Sequence, residues 1–208
     1  IIYQIDLLVY KLILCFYILH KNKGGDKMDI KRRNIPVDLT KCKYLGKGHS
    51  GEVYLMPDKK RIVKIFKSAN SCKAEFDILK SVEKSLHFPK AYELGEYYMI
   101  REYVGGTNVY DYIKAHGIEK SFVLNITSLI DELKSYGFTK LELRFPHLFV
   151  QEDGTLMLID PRKSYQEDIP YPKSFLRKLN KMGLLDEFFK ILQKERPDID
   201  WQKYYTVK

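Results

Sequence analysis

Between Thr40 and Tyr103 the apolar residues fall in short runs of strand length, and beyond Val109 they recur mainly at helical spacing. Cys42 to Leu45 and Glu52 to Met56 read as two strands flanking a glycine-rich turn. Pro57-Asp58-Lys59-Lys60 then reverses the chain into a third strand, Arg61 to Phe66, whose Ile62, Val63, Ile65 and Phe66 suit a buried sheet. Ser71 to Ser85 follows with helical periodicity. Glu75, Ile78, Leu79 and Val82 share one face there, which sets a carboxylate into an apolar stripe.

Two further strands are expected at Lys90 to Leu94 and Tyr97 to Tyr103, with Gly95 at the bend. Val104-Gly105-Gly106-Thr107 breaks the pattern and marks a boundary between two lobes. Val109 to Lys114 and Ser121 to Tyr136 read as helices. Leu148-Phe149-Val150 and Leu156 to Ile159, on either side of Asp153-Gly154, read as a hairpin. Amphipathic helices are expected at Ser174 to Met182 and Leu184 to Glu195, beyond a loop holding Pro161, Pro170 and Pro172.

Composition adds bounds rather than a fold. The 208 residues, 45% hydrophobic and 30% charged, describe an ordinary globular chain, and sixteen tyrosines with eleven phenylalanines supply bulky core material. The net charge of +9 favours anionic partners such as nucleotides or an acidic protein, although most lysines are interspersed with acids on what reads as a mixed surface. There is no DNA-binding motif. Cys15, Cys42 and Cys72 have neither paired nor metal-ligand spacing, which suits free thiols in a reducing cytoplasm.

The first 27 residues stand apart. Residues 1–20 are apolar and aromatic, yet Gln4, Asp6, Lys11 and His20 make them a poor membrane span and a poor signal peptide. Codons for Lys23-Gly24-Gly25 can read as a purine-rich ribosome-binding sequence just ahead of Met28. The expectation is that 1–27 is translated upstream sequence and Met28 the native start. Without that stretch, four lysines and two aspartates are lost, the charge falls to +7, and no membrane contact is expected.

The chemistry begins at Leu45-Gly46-Lys47-Gly48-His49-Ser50-Gly51-Glu52-Val53-Tyr54, a GxGxxG run followed by xV. A dinucleotide site needs a helix directly after the glycines, and a Walker A loop needs Gly-Lys-Ser/Thr. Here a strand follows. Glycines between two strands let backbone N–H groups approach phosphate oxygens unobstructed. With Ile62-Val63-Lys64-Ile65-Phe66, Glu75 on its helix, Met99 to Gly106 as a hinge, and the hairpin from His147 to Asp160, the chain resembles the protein-kinase superfamily from about Lys43 to Asp160.

That resemblance implies an α+β fold: an antiparallel-sheet N-lobe over 28–104 and a reduced, mainly helical C-lobe over 105–208. It implies ATP with Mg²⁺ as cofactors. Gly46, Lys47, Gly48, His49, Ser50, Gly51 and Val53 would cover the nucleotide, and Lys64 would contact its α- and β-phosphates while pairing with Glu75. Glu102 and Tyr103 would offer backbone groups to adenine, and Arg101 would gate the pocket behind it.

In the second half the family pattern bends. The position of the catalytic-loop Asp reads Glu142, within Lys140-Leu141-Glu142, and the Asn five residues on reads His147. DFG reads Asp160-Pro161-Arg162. Asp160 keeps the carboxylate that holds Mg²⁺. Glu142 can still orient a hydroxyl, although its extra methylene shifts the charge by about 1.5 Å. His147 would suit Mn²⁺ better than Mg²⁺, and Arg144 keeps a cation where Ser/Thr kinases contact phosphate. His87 and His116 read as loop residues without a role. With about 48 residues after Asp160 and no Ala-Pro-Glu, the C-lobe resembles minimal RIO-type and bacterial sugar-kinase-like members. The implied activity is Ser/Thr-type phosphoryl transfer to an unidentified protein. A pseudokinase acting as a regulatory or scaffold module is the alternative.

Overall fold

The computed structural model describes residues 35–161, 165 and 167–205, and the elements below belong to one compact unit beginning at Val37. The upstream segment 1–27, Met28, Cys15 and Arg162 lie outside the described residues. Strands β1 (Lys43–Lys47), β2 (Gly51–Leu55) and β3 (Arg61–Phe66) form an antiparallel meander. Lys59, in the reversal between β2 and β3, adopts the left-handed conformation, and Asp58 Oδ1 accepts from the Lys60 and Arg61 amides at 2.9 and 3.1 Å. Five consecutive residues of β3 are buried, so this strand is covered on both faces.

The chain then leaves the sheet for helix α1 (Ala69–Ser81), capped by the Ser68 hydroxyl on the Ser71 amide. The helix starts two residues earlier than its periodicity suggests because that cap lies outside the apolar stripe. It buries Cys72, Glu75 and Leu79 against the sheet. Strands β4 (Ala91–Leu94) and β5 (Tyr98–Glu102) return, giving a five-stranded antiparallel sheet of order β1-β2-β3-β5-β4.

After Glu102 the chain crosses Gly105-Gly106. Gly106 has φ 79°, and a Cβ there would meet the Val150 carbonyl oxygen at 2.3 Å. Short strand β6 (Thr107–Asn108) pairs with the hairpin β7 (Leu148–Val150) and β8 (Leu156–Leu158) in a second, three-stranded sheet. Asn108 caps helix α2 (Val109–His116) through Oδ1 on the Tyr110 amide, while its Nδ2 donates to the Phe145 carbonyl at 2.8 Å. Helix α3 (Lys120–Ser135) runs through the centre of this half, burying Phe122, Val123, Ile126, Leu129, Ile130 and Leu133 at three- and four-residue intervals. Helices α4 (Lys173–Lys181) and α5 (Leu185–Glu195) close over it through Phe175, Leu179, Phe188 and Leu192, and Trp201 stacks on Phe188. Among the described residues no helix is long and apolar enough to cross a membrane.

One residue outside the motifs ties the halves together. His87, between α1 and β4, has Nδ1 2.6 Å from the Leu156 carbonyl of β8 and Nε2 3.1 Å from the Glu132 carboxylate of α3. Its own carbonyl accepts from the Leu158 amide at 2.8 Å. His87 therefore has a role, against the sequence reading, and only the folded chain brings Glu132 and Leu156 to it. Both ring nitrogens thus face oxygen atoms of the second half. We expect His87→Ala to lower unfolding free energy by about 1–3 kcal/mol, measured by urea titration. A variant as stable as the wild type would remove the clasp.

Candidate active site

One end of the site is built on β3. Lys64 pairs in register with Val53 on one side and Met99 on the other, so neighbouring strands fix its direction. Its Nζ donates to both carboxylate oxygens of Glu75, at 2.6 and 2.7 Å, and lies 4.8 Å from the Phe66 ring centre. Glu75 is fully buried. Burial pushes its carboxyl up, Lys64 pulls it down, and Asp160 adds to the upward push. Asp160 is thus electrostatically coupled to the pair. A lysine on the third strand of a five-stranded antiparallel sheet, clamped by a helix glutamate beside an aspartate that follows a hairpin, decides the architecture. The chain has a protein-kinase-like fold.

No family model matches the chain. It is 23% identical over 148 residues to the Bacillus subtilis (strain 168) protein named "Putative serine/threonine-protein kinase YrzF", an alignment covering 69% of this chain and 66% of that one. Among solved structures, a gentamicin complex of APH(2″)-IIa superposes with a TM-score of 0.42 at 20% identity, over 54% of this chain and 40% of that one. The chain thus spans just under two thirds of the curated relative and two fifths of the solved structure.

The glycine loop divides into two kinds of glycine. A Cβ on Gly51 would fall 1.7 Å from the Ile65 carbonyl oxygen, so Gly51 serves the close approach of β2 to β3. Gly46 and Gly48 have open space where a Cβ would stand. The turn is held by the Gly48 amide donating to the Gly51 carbonyl at 2.8 Å, and by the Lys67 amide donating to the Ser50 carbonyl at 2.8 Å. Lys47 pairs with Glu52 at 3.3 Å. Val53 is half-buried on β2, and His49 is exposed at the tip.

At the hinge, pairing within the chain takes up two backbone amides. The Glu102 amide donates to the Lys90 carbonyl and the Tyr103 amide to the Lys60 carbonyl, at 2.9 and 2.8 Å. Neither amide is left for a ligand, because the sheet pairing extends one residue past β5. What Glu102 and Tyr103 can still present is carbonyl oxygen, and the next donor along the chain is the Val104 amide. Arg101 is buried, and its Nη1 donates to the Glu102 carbonyl at 2.8 Å. Burial pulls its pKa down, opposed by Glu75, Asp160 and Glu102.

On the opposite wall Leu141, Leu143 and Phe145 point into the core, leaving Lys140, Glu142 and Arg144 alternately on the cleft side. The segment is anchored by the Leu141 amide on the Ile169 carbonyl, and by the Ile169 amide on the Thr139 carbonyl, both at 2.9 Å. The Ile159 amide donates to the His147 carbonyl at 2.9 Å, which joins this segment to the approach to Asp160. Glu142, Arg144, His147, Asp160 and His49 all line one cleft of about 950 Å³. Of the residues assigned from the sequence, the cleft thus gathers the catalytic-loop set with Asp160 and His49, while Lys64 and Glu75 are linked to it through the charge of Asp160. Among the described residues no three of His, Cys, Asp and Glu converge as a metal site. A Mg²⁺ held by Asp160 would complete its shell with phosphate and water oxygens, the usual habit of this ion.

Glu142 has a second attachment that the sequence did not signal. The Ser174 amide, in the first turn of α4, lies 3.1 and 3.2 Å from its two carboxylate oxygens. Burial nonetheless raises its pKa, and Ser174, Arg144, Lys140 and Lys173 only partly oppose this. Between the model-compound value of 4.5 and the higher folded value, the native state binds the extra proton, so Glu142 costs stability as pH rises through that window. We expect the stability of the wild type relative to Glu142→Gln to fall from about pH 4.5 towards neutrality. Urea midpoints of both proteins across that range test it, and a constant difference would contradict the assignment.

Proposed function

We propose that the chain is a nucleoside-triphosphate-dependent phosphotransferase of protein-kinase type, using ATP with Mg²⁺ or Mn²⁺ and delivering phosphate to a Ser/Thr-type hydroxyl. The observation that carries this reading is the bidentate Lys64–Glu75 pair, with Asp160 coupled to it and sharing a cleft with Glu142 and Arg144. Lys64 would hold the α- and β-phosphates in place, and Gly46 and Gly48 would let backbone donors approach them. Asp160 would hold the divalent cation, which neutralises charge on the transferring group. Glu142 would orient the acceptor hydroxyl, with Arg144 balancing the phosphate being transferred. The name of the Bacillus subtilis relative supports a Ser/Thr acceptor.

A second reading has one observation in its favour. Both oxygens of Glu142 face the Ser174 amide, so this carboxylate is already engaged by the chain and is less available to orient an acceptor hydroxyl. A nucleotide-binding module without transfer would use the same Lys64–Glu75 pair. Transfer from γ-labelled ATP, comparing wild type with Asp160→Ala and Lys64→Ala, separates the two. Label that survives both substitutions overturns the phosphotransferase, and nucleotide binding without label selects the module.

A further inference from the structure

Helix α4 carries Lys173, Arg177, Lys178 and Lys181 and no acid, while Phe175, Leu176 and Leu179 turn into the core. Lys173, Arg177 and Lys181 stand four residues apart, so they share the outward face, one turn after another. Like charges at that spacing repel and weaken a helix, and a lysine in the first turn also opposes the helix dipole. On α1 the exposed charges are neutralised instead, Lys73 by Asp77 at 2.7 Å and Lys80 by Glu83. Among the described residues Lys173, Arg177 and Lys181 have no ion pair. The acids that open α5, Asp186 and Glu187, come only beyond the C-terminal end of α4.

This cationic strip starts at the cleft. The first turn of α4 supplies the Ser174 amide to Glu142 at 3.1 and 3.2 Å, and the charge of Lys173 reaches that carboxylate along with those of Arg144 and Lys140. On its other side Lys178 leads to α2. Its Nζ lies 4.6 Å from the Tyr110 ring centre, and the Lys114 Nζ lies 4.8 Å from the same ring. An extended anion laid along α4 would relieve the repulsion that the helix carries by itself. The rings beside the strip already have partners, Tyr110 in these two lysines and Tyr204 in Tyr171 at 5.2 Å, which favours carboxylates over stacking bases.

We propose that the outer face of α4 docks an acidic segment of a protein partner. In the phosphotransferase reading, on which only this last step rests, that partner is the acceptor, and the strip brings its hydroxyl to Glu142.

The test titrates the full chain with two fluorescent peptides, a serine flanked by glutamates and the same peptide with glutamines. Fluorescence anisotropy should show the acidic peptide binding at least about tenfold more tightly at low salt, with the preference fading as salt rises. Arg177→Gln/Lys181→Gln should lose most of that preference and melt no lower than the wild type, because it removes repulsion. Lys190→Gln/Lys194→Gln, which takes the same charge from exposed positions of α5, should keep it. Equal binding of the two peptides by wild type overturns the docking strip. An equal loss in both double variants assigns the preference to net charge and overturns it as well. A single-stranded oligonucleotide that displaces the acidic peptide and binds more tightly makes α4 a nucleic-acid surface and also defeats it. An acidic peptide that binds on α4 yet never takes label from γ-labelled ATP leaves the strip standing and overturns the phosphotransferase reading alone.

Discussion

Glu75→Ala is expected to destabilise the protein by about 3–5 kcal/mol, the range for removing one partner of a buried ion pair. The reason is what remains. Lys64 is 6% exposed and both of its hydrogen bonds to Glu75 end on one carboxylate, so truncation strands a buried ammonium. A loss of this size is a large share of a typical domain's total stability. The double variant Lys64→Met/Glu75→Leu removes both charges while keeping apolar volume, and it should recover most of the loss. Chemical denaturation of wild type, Lys64→Met, Glu75→Leu and the double variant measures the coupling directly. If Glu75→Ala unfolds at the wild-type midpoint, the buried pair is not formed in solution. The double variant should be stable and unable to bind nucleotide, which separates what the pair does for function from what it does for the fold.

The strands were legible because their causes are local. Arg61 to Phe66 reads as β3 from its β-branched run and the Pro57-Asp58 reversal, and the β7–β8 hairpin reads from Asp153-Gly154. Glu75 stood out for a related reason, as a carboxylate in an apolar helical stripe, and the protein-kinase resemblance implied Lys64, on the strand just before that helix, as its partner. The residues that escaped are those whose partners are distant in sequence. His87 meets Glu132 and Leu156, 45 and 69 positions away. Glu142 meets the Ser174 amide across 32 positions. The hinge amides of Glu102 and Tyr103 escaped for another reason. Which backbone donors a sheet consumes depends on where pairing ends, and a single residue of extension reassigns them.

The two walls of the cleft are stabilised differently, and this bears on how the site can work. Lys64 and Glu75 sit in a fully covered sheet–helix junction, so the phosphate-facing wall is fixed by packing. The facing wall is an extended segment whose three cleft-side residues, Lys140, Glu142 and Arg144, each carry charge. Lys140 is held by Glu167 at 2.9 Å and Glu142 by the first turn of α4. The positions of these two charges therefore depend on Glu167 and on the first turn of α4 respectively.

Asp160→Ala is expected to reduce phosphoryl transfer on the order of 10³-fold or more, and Glu142→Gln on the order of 10²-fold. The order follows from charge. The transferring group is polyanionic, and Asp160 is the carboxylate on the Lys64 side of the cleft that can hold the neutralising cation there. No three-ligand cluster among the described residues could take over that task. In the proposed role Glu142 acts on the acceptor alone. Its removal leaves nucleotide and cation in place, so the residual rate should be larger, and the Glu142→Gln protein should still accept the cap from Ser174. Single-turnover assays with γ-labelled nucleotide measure both variants, and nucleotide affinity is measured in parallel. Asp160→Ala should also weaken nucleotide binding in Mg²⁺ while leaving metal-free binding nearly unchanged. Glu142→Gln should alter neither. If Glu142→Gln proves as damaging as Asp160→Ala and weakens binding equally, Glu142 belongs to the nucleotide-holding machinery instead of the acceptor side. If neither variant changes the rate, the transfer being measured does not occur in this cleft.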